Sequence, residues 1–171
     1  NACKITQLKV IGKNVLSESG IYTGFRTRGG SFTSCTGQDE IKVEESGNKI
    51  LIKNIIYGDL SINVNESWTF DLSGDKIIWN INRKYSNLAK LEETAFPQWN
   101  FADLSVWKGG ILDNGGMVWC KYLRDVNDTY GVHTGGVTFW NPDTGNALRI
   151  EAKSNGRHLA AKYSQSDKKE F

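Results

Sequence analysis

Between residues 96 and 120 the chain reads FPQWNFADLSVWKGGILDNGGMVWC, a stretch that holds three of its six tryptophans beside two Gly-Gly pairs. Tryptophans next to carboxylates and amides can form a sugar site. An indole face covers the C–H patch of a pyranose ring, and polar neighbours bond the ring's hydroxyls. Trp99, Trp107, Trp119 and Trp140, with Tyr130, supply the aromatic part; Asn100, Asp103, Asn114, Arg124 and Asn127 supply the polar part. Trp68, Phe70, Trp79 and Trp119 sit mid-strand, where alternation sends one set of side chains into a core. Trp99 and Trp107, after Pro97 and before Gly109, lie in less regular chain and are expected at the surface. Trp140 ends a strand and fits either place. The expected ligand-binding set is therefore Trp99, Asn100, Asp103, Trp107, Tyr130 and Trp140, while GGMVWCKYL reads as a core strand.

Catalysis is the competing chemistry. A pair of carboxylates, one raised in pKa as the acid and the other serving as base or nucleophile, would hydrolyse a glycosidic bond. Asp103, Asp113 and Asp125 lie in or near the aromatic stretch, whereas the adjacent Glu92 and Glu93 would point to opposite faces of a strand. Such acids are common in sheet loops, so no catalytic residue is assigned; a small polysaccharide-degrading enzyme using Asp103 and Asp113 stands as one alternative, and a structural or protein-interaction domain whose exposed aromatics cover a partner as the other. His133 and His158 fall in no metal-binding pattern, and His133, just before a glycine turn, reads as a surface residue or a ligand contact. No phosphate-cradling glycine loop is present, and neither a metal nor a cofactor is expected. The Gly-Gly pairs at 29–30, 109–110, 115–116 and 135–136 read as turns and places of close backbone packing.

These side chains must be held by strands. Short runs rich in Ile, Val, Thr, Tyr and Trp recur about every ten residues, divided by Gly, Asn, Asp and Ser, which is an all-β pattern. KITQLKVI (4–11), IYTGFRT (21–27), EIKVEE (40–45), KILIKNIIY (49–57), LSINV (60–64), SWTFDL (67–72) and KIIWNINRKY (76–85) open the series. MVWCKYL (117–123), GGVTFW (135–140), ALRIEAK (147–153) and RHLAAKY (157–163) close it. Ser73-Gly74-Asp75 and Asn155-Gly156 read as tight hairpins, and Asn141-Pro142-Asp143-Thr144-Gly145 as a type I turn. Only NLAKLEET (87–94) suggests a helical turn. The expectation is an antiparallel β-sandwich with little helix, forming a single domain over 1–171 that is either whole or a fragment of a larger protein.

With 39% hydrophobic residues, 23% charged residues and a net charge of +2, the 171-residue chain has the composition of a globular domain. Its charges alternate in sign instead of clustering, so nucleic acid is not an expected partner. No apolar run reaches the ~20 residues of a membrane-spanning helix. Asn1 and Ala2 read as a tag remnant, which puts the start of the natural sequence near Cys3. That cysteine is then either the lipid-bearing residue of an extracytoplasmic lipoprotein or an ordinary thiol at a loose terminus. Cys3, Cys35 and Cys120 have no metal-ligand spacing, and their odd number excludes a fully paired disulfide framework.

The order WTFDLSGDKIIWNINRKY, then LEETAFPQWNF, then a Trp-bearing segment running into GGMVW resembles the N-terminal β-sandwich of bacterial six-hairpin glycosidases. The resemblance covers roughly residues 66–140. In that family a large sandwich, the supersandwich, precedes an (α/α)6 barrel that carries the catalytic carboxylates. The resemblance implies an extracytoplasmic (periplasmic or cell-surface) accessory domain of a glycan-degrading enzyme, with a carbohydrate or an adjacent catalytic domain as its partner. It assigns no catalytic residue to this chain.

Overall fold

Strands and tight turns dominate the described residues. The computed structural model describes residues 2–36, 40–102, 106–113, 118–120, 130–153 and 161–165, and among these there is no helix. Strands β1 (Lys9–Val10), β2 (Lys13–Asn14), β3 (Leu16–Thr27), β4 (Gly30–Thr33) and β5 (Lys42–Ser46) come first. Then follow β6 (Lys49–Gly58), β7 (Asn63–Ser73), β8 (Lys76–Tyr85), β9 (Glu93–Phe101) and β10 (Gly109–Leu112). The series ends with β11 (Val118–Cys120), β12 (Tyr130–Thr134), β13 (Gly136–Asn141), β14 (Asn146–Glu151) and β15 (Ala161–Gln165). All the recorded strand pairings are antiparallel, so the chain is all-β, of a sandwich-like class. Internal contacts divide it into two compact units, Asn1–Ile5 with Ile21–Gln98 and Thr6–Gly20 with Trp99–Phe171.

The first unit is built on the meander β5-β6-β7-β8. Two-residue loops join its outer pairs, with Gly47 (φ 59°) and Gly74 (φ 60°) supplying the positive φ that such hairpins demand. The sequence of β6 changes the parity of its apolar residues, from Ile50 and Ile52 to Ile55 and Tyr57. A register shift between Ile52 and Ile55, with Asn54 in the left-handed region (φ 62°), keeps both pairs on one face. That face forms a core of Phe25, Ile55, Tyr57, Ile62, Val64 and Trp68, against which Phe70, Trp79 and Ile81 pack. Trp68 and Trp79 meet edge to face, their centroids 4.9 Å apart. The expected core role of Trp68, Phe70 and Trp79 is thus met.

The second unit contains the sheet β11-β10-β13-β14 and the two-stranded pairs β1-β2 and β12-β15. Among its described residues Val15, Leu16, Phe101, Val106, Trp107 and Phe139 are the buried apolar side chains.

The structure corrects several local expectations. LSINV and SWTFDL do not form two strands. The Asp59 carboxylate accepts from the amides of Ser61 (2.8 Å) and Ile62 (3.0 Å), holding a turn, and a single strand β7 follows. KITQLKVI gives only the two residues of β1 and an isolated bridge from Ile5 to Ile21, because the Asn14 side chain takes the Leu8 amide at 3.0 Å. NLAKLEET is not helical. Its Asn87 amide bonds the Ser61 carbonyl at 2.9 Å, and the Glu92 N–H bonds Arg26 at 2.8 Å, so it is tied to its neighbours and not to itself. FPQWNF is not irregular: it lies in β9, which tolerates Pro97 because it is the outer strand of β4-β3-β9. Nor is Cys3 at a loose end. Its thiol is buried, its N–H bonds the Ser34 carbonyl at 2.8 Å, and its own carbonyl accepts from the Ser34 hydroxyl at 2.7 Å. The Asn155-Gly156 turn and His158 lie outside the described residues. Among those residues no helix is long and apolar enough to cross a membrane.

Candidate functional site

The turn Asn141-Pro142-Asp143-Thr144-Gly145 determines which side chains share a face in the second unit. The Asp143 amide bonds the Asn141 side chain at 3.1 Å, and Gly145 takes φ 69°. The hairpin it closes sets Trp140 opposite Ala147 and Thr138 opposite Arg149. On the other side of β13, Gly109 stands opposite Trp140 and Ile111 opposite Thr138. Alternation turns Phe139 inward, where it packs on Phe101 and Trp107 with centroids 5.8 and 6.1 Å apart. The outer face therefore presents Trp140, Thr138, Arg149, Glu151 and Ile111 together.

Two glycines shape this face. A Cβ on Gly109 would lie 2.5 Å from Cζ2 of Trp140, so only a bare Cα lets the half-buried indole pack this close to the neighbouring strand. A Cβ on Gly136 would lie 2.6 Å from Oδ2 of Asp113, so the carboxylate sits directly over that glycine. Asp113 in turn receives a two-pronged contact from Arg149, whose Nη1 and Nη2 donate to its Oδ1 and Oδ2 at 2.9 and 2.8 Å. Nη1 also donates to Thr138 Oγ1 at 2.8 Å, and Nε to Glu151 Oε1 at 2.6 Å. Lys153 completes the group 3.3 Å from Glu151. Hydrogen bonds from Arg149 hold the Asp113 carboxyl below the usual carboxylate range, and bonds from Arg149 and Lys153 do the same for Glu151. Asp113, already a bidentate acceptor and held ionised, is the reverse of the proton-donating acid that glycoside hydrolysis needs.

Of the residues expected to bind ligand whose side chains are described, Trp140 alone is placed on this face. Trp107 corrects its expectation. It is 1% exposed and stacks on Phe139, on the side of β13 opposite Trp140, because Val106 and Trp107 complete the core ahead of β10. Asn100 is also buried, and its amide donates to the Gly20 carbonyl at 2.7 Å. Trp99 is half-buried and stacks on Phe101, 6.1 Å away. Tyr130 and His133 belong to β12, and Trp119 to β11, with their side chains outside the description. Asp103, Asn114, Arg124, Asp125 and Asn127 lie outside the described residues. Glu92 and Glu93 do not diverge: both approach Arg26, at 3.5 and 3.6 Å.

Sequence reasoning missed Thr138, Arg149 and Glu151. The signal was present, since Thr138 and Trp140 are two apart on one strand, as are Arg149 and Glu151 on the next. Extending the ladder inward from the NPDTG turn pairs them. It also missed a buried cluster in the first unit. Glu66 accepts from Thr23 (2.6 Å), Tyr57 (2.8 Å), Trp68 Nε1 (2.9 Å) and Arg83 Nε (2.5 Å). The other Arg83 donors reach Tyr85, Tyr57 and the carbonyls of Gly24 and Ala95. With its donors matched and its side chains buried, this cluster has no opening to a ligand. Among the described residues no three His, Cys, Asp or Glu side chains gather as a metal site would require.

No protein-family model matches the chain, and neither the curated proteins nor the solved structures compared with it yielded a match.

Proposed function

We propose that this chain is a non-catalytic, carbohydrate-binding domain of an extracytoplasmic carbohydrate-active protein. On this reading the outer face of β10, β13 and β14 is its sugar platform. The observation that carries the reading is Trp140 lying over Gly109 on an open sheet face, one rung from Thr138 and Arg149. The indole offers its surface to ring C–H groups, and the hydroxyl, guanidinium and carboxylates beside it bond to sugar hydroxyls. The binding residues are Trp140, Thr138, Arg149 and Glu151, with Trp99 and Trp107 removed to packing roles. The likeness of residues 66–140 to six-hairpin glycosidase sandwiches supports the extracytoplasmic, accessory part of the proposal. A glycan panel read by tryptophan fluorescence tests it. Trp140→Ala should stay folded and lose about 10- to 100-fold in affinity, or ~1–3 kcal/mol. A folded Trp140→Ala protein that binds every hit unchanged removes the platform.

A second reading rests on the first unit, where the apolar face of the meander continues past its core. Ile77 is 65%, Val43 58% and Leu72 42% exposed, beside a stacked Phe70–Trp79 pair with centroids 5.1 Å apart. Apolar surface of this kind marks a protein contact, and an adjacent catalytic domain is the partner this reading names. If it holds, the isolated chain associates with rising concentration and Ile77→Lys abolishes the association. A chain that stays monomeric at millimolar concentration counts against it.

A further inference from the structure

Building on the sugar-platform reading, we infer that the ligand of this face is a neutral glycan, and that Asp113 and Glu151 act there to exclude acidic ones. The arginine beside Trp140 would by itself favour a uronate or a sulfated sugar, because a guanidinium fork matches a planar anion in two parallel bonds. That fork is already taken by Asp113, at 2.8 and 2.9 Å, and the Nε donor is held by Glu151 at 2.6 Å.

Among the described residues the local charges cancel. Arg149 and Lys153 stand against Asp113 and Glu151, and Lys108 pairs with Asp143 in the turn after Trp140. Among the described residues an incoming carboxylate would find no unopposed cation and two like charges at close range. A neutral pyranose meets no such opposition: its C–H face covers the indole, and its hydroxyls bond Thr138 and the Glu151 carboxylate, which accepts several bonds at once. Gly136 keeps the arrangement in place, since any larger residue there would displace Asp113 and loosen its hold on Arg149.

The test is a matched titration of the full chain at low salt. The probes are neutral gluco-, galacto- and manno-oligosaccharides and uronate oligosaccharides of the same length. Wild type should bind a neutral member in a Trp140-dependent and nearly salt-independent way, and the uronates at least tenfold more weakly. The Asp113→Asn/Glu151→Gln protein, checked for native circular dichroism, should gain at least tenfold for uronates, a gain that added salt reverses. Wild type that prefers uronates through Trp140 overturns the inference and leaves the platform standing. A double variant that gains nothing for uronates also overturns it, since the carboxylates would then not be what excludes them. If no glycan binds, or if Trp140→Ala changes nothing, the platform fails and the inference fails with it.

Discussion

Arg83 and Arg149 each hold carboxylate company, and their surroundings separate them. The Arg83 side chain is 4% exposed and its partner Glu66 is fully buried, whereas the Arg149 side chain is 44% exposed. In the first unit the Arg83 donors and the Glu66 acceptors meet protein partners, and the Phe96 ring lies 4.5 Å from the guanidinium carbon. In the second unit a similar set of bonds stands in water. The comparison teaches that ion-pair geometry says little about purpose. A buried pair is a commitment of the fold, since either ion left alone would be stranded at low dielectric. An exposed pair costs little to break and remains open to a ligand.

The strongest attack on this contrast is Arg83→Met, which strands Glu66 among Thr23, Tyr57 and Trp68. A loss of about 3–5 kcal/mol is expected by urea unfolding. The Arg83→Met/Glu66→Gln protein should lose less than the single variant, because no charge remains unpaired. A single variant within 1 kcal/mol of wild type would mean that the pair is not the commitment argued here.

The same burial makes the first unit sensitive to alkali. Burial, with the nearby Glu66 charge second, pushes the Cys3 thiol up to about 12. Burial likewise holds the Tyr57 hydroxyl above the ordinary tyrosine range, although Arg83 opposes the shift. For both groups the folded state keeps a proton that the unfolded chain gives up. The associated stability is therefore complete below the unfolded pKa and falls as pH rises through the window toward the folded value. Each group contributes a slope of at most about 1.4 kcal/mol per pH unit. Urea midpoints should drop from pH 9 upward, and Cys3→Ala should flatten part of that drop even though it lowers stability at pH 7. An unchanged alkaline slope would place the Cys3 thiol in water. The native thiol should also react slowly with a disulfide reagent at pH 8, as a buried protonated sulfur does.

Much of the fold was legible because its signals are local. KIIWNINRKY became β8 residue for residue, and the glycine turn before it closed β7 onto β8 as expected. The strand β9 was hidden by Pro97, whose suitability for an outer strand depends on sheet order and not on its neighbours in sequence. The site was less legible. Trp107 and Trp140 look alike as tryptophans close to turn residues, yet one fills the core and the other lies on the outer face. What separates them is the parity of β13, where Phe139 points one way and Trp140 the other. Nothing near Glu66 in sequence announces that Arg83, across the β7–β8 ladder, will meet it; the register alone pairs them.

A smaller effect tests how rigidly the exposed network is seated. Gly136→Ala places a methyl group against the Asp113 carboxylate and 3.0 Å from the Ile150 carbonyl. A loss of about 1–3 kcal/mol is expected, the range for an extra group forced into a packed position. Gly135→Ala, one residue earlier, meets nothing within 4 Å and should be close to neutral. Equal losses at the two positions would show that the cost comes from backbone conformation and not from the seat of the carboxylate.

The smallest expected effect makes the sharpest contrast with Arg83. Asp113→Asn removes the two-pronged contact with Arg149, but both side chains stand in water, where the unmatched guanidinium is simply hydrated. The Asp113 carboxyl is lowered by its Arg149 bonds, so the stability it adds is present above the unfolded carboxylate pKa and disappears as pH falls through the folded one. Solvent screening keeps that contribution slight. The urea midpoint of Asp113→Asn at pH 7 should fall within error of wild type, and any difference seen at low ionic strength should vanish as salt is added. A loss comparable to that of Arg83→Met, persisting in salt, would mean that the outer face is as much a part of the folding core as the buried pair. Trp140 and its neighbours would then have to be read as packing.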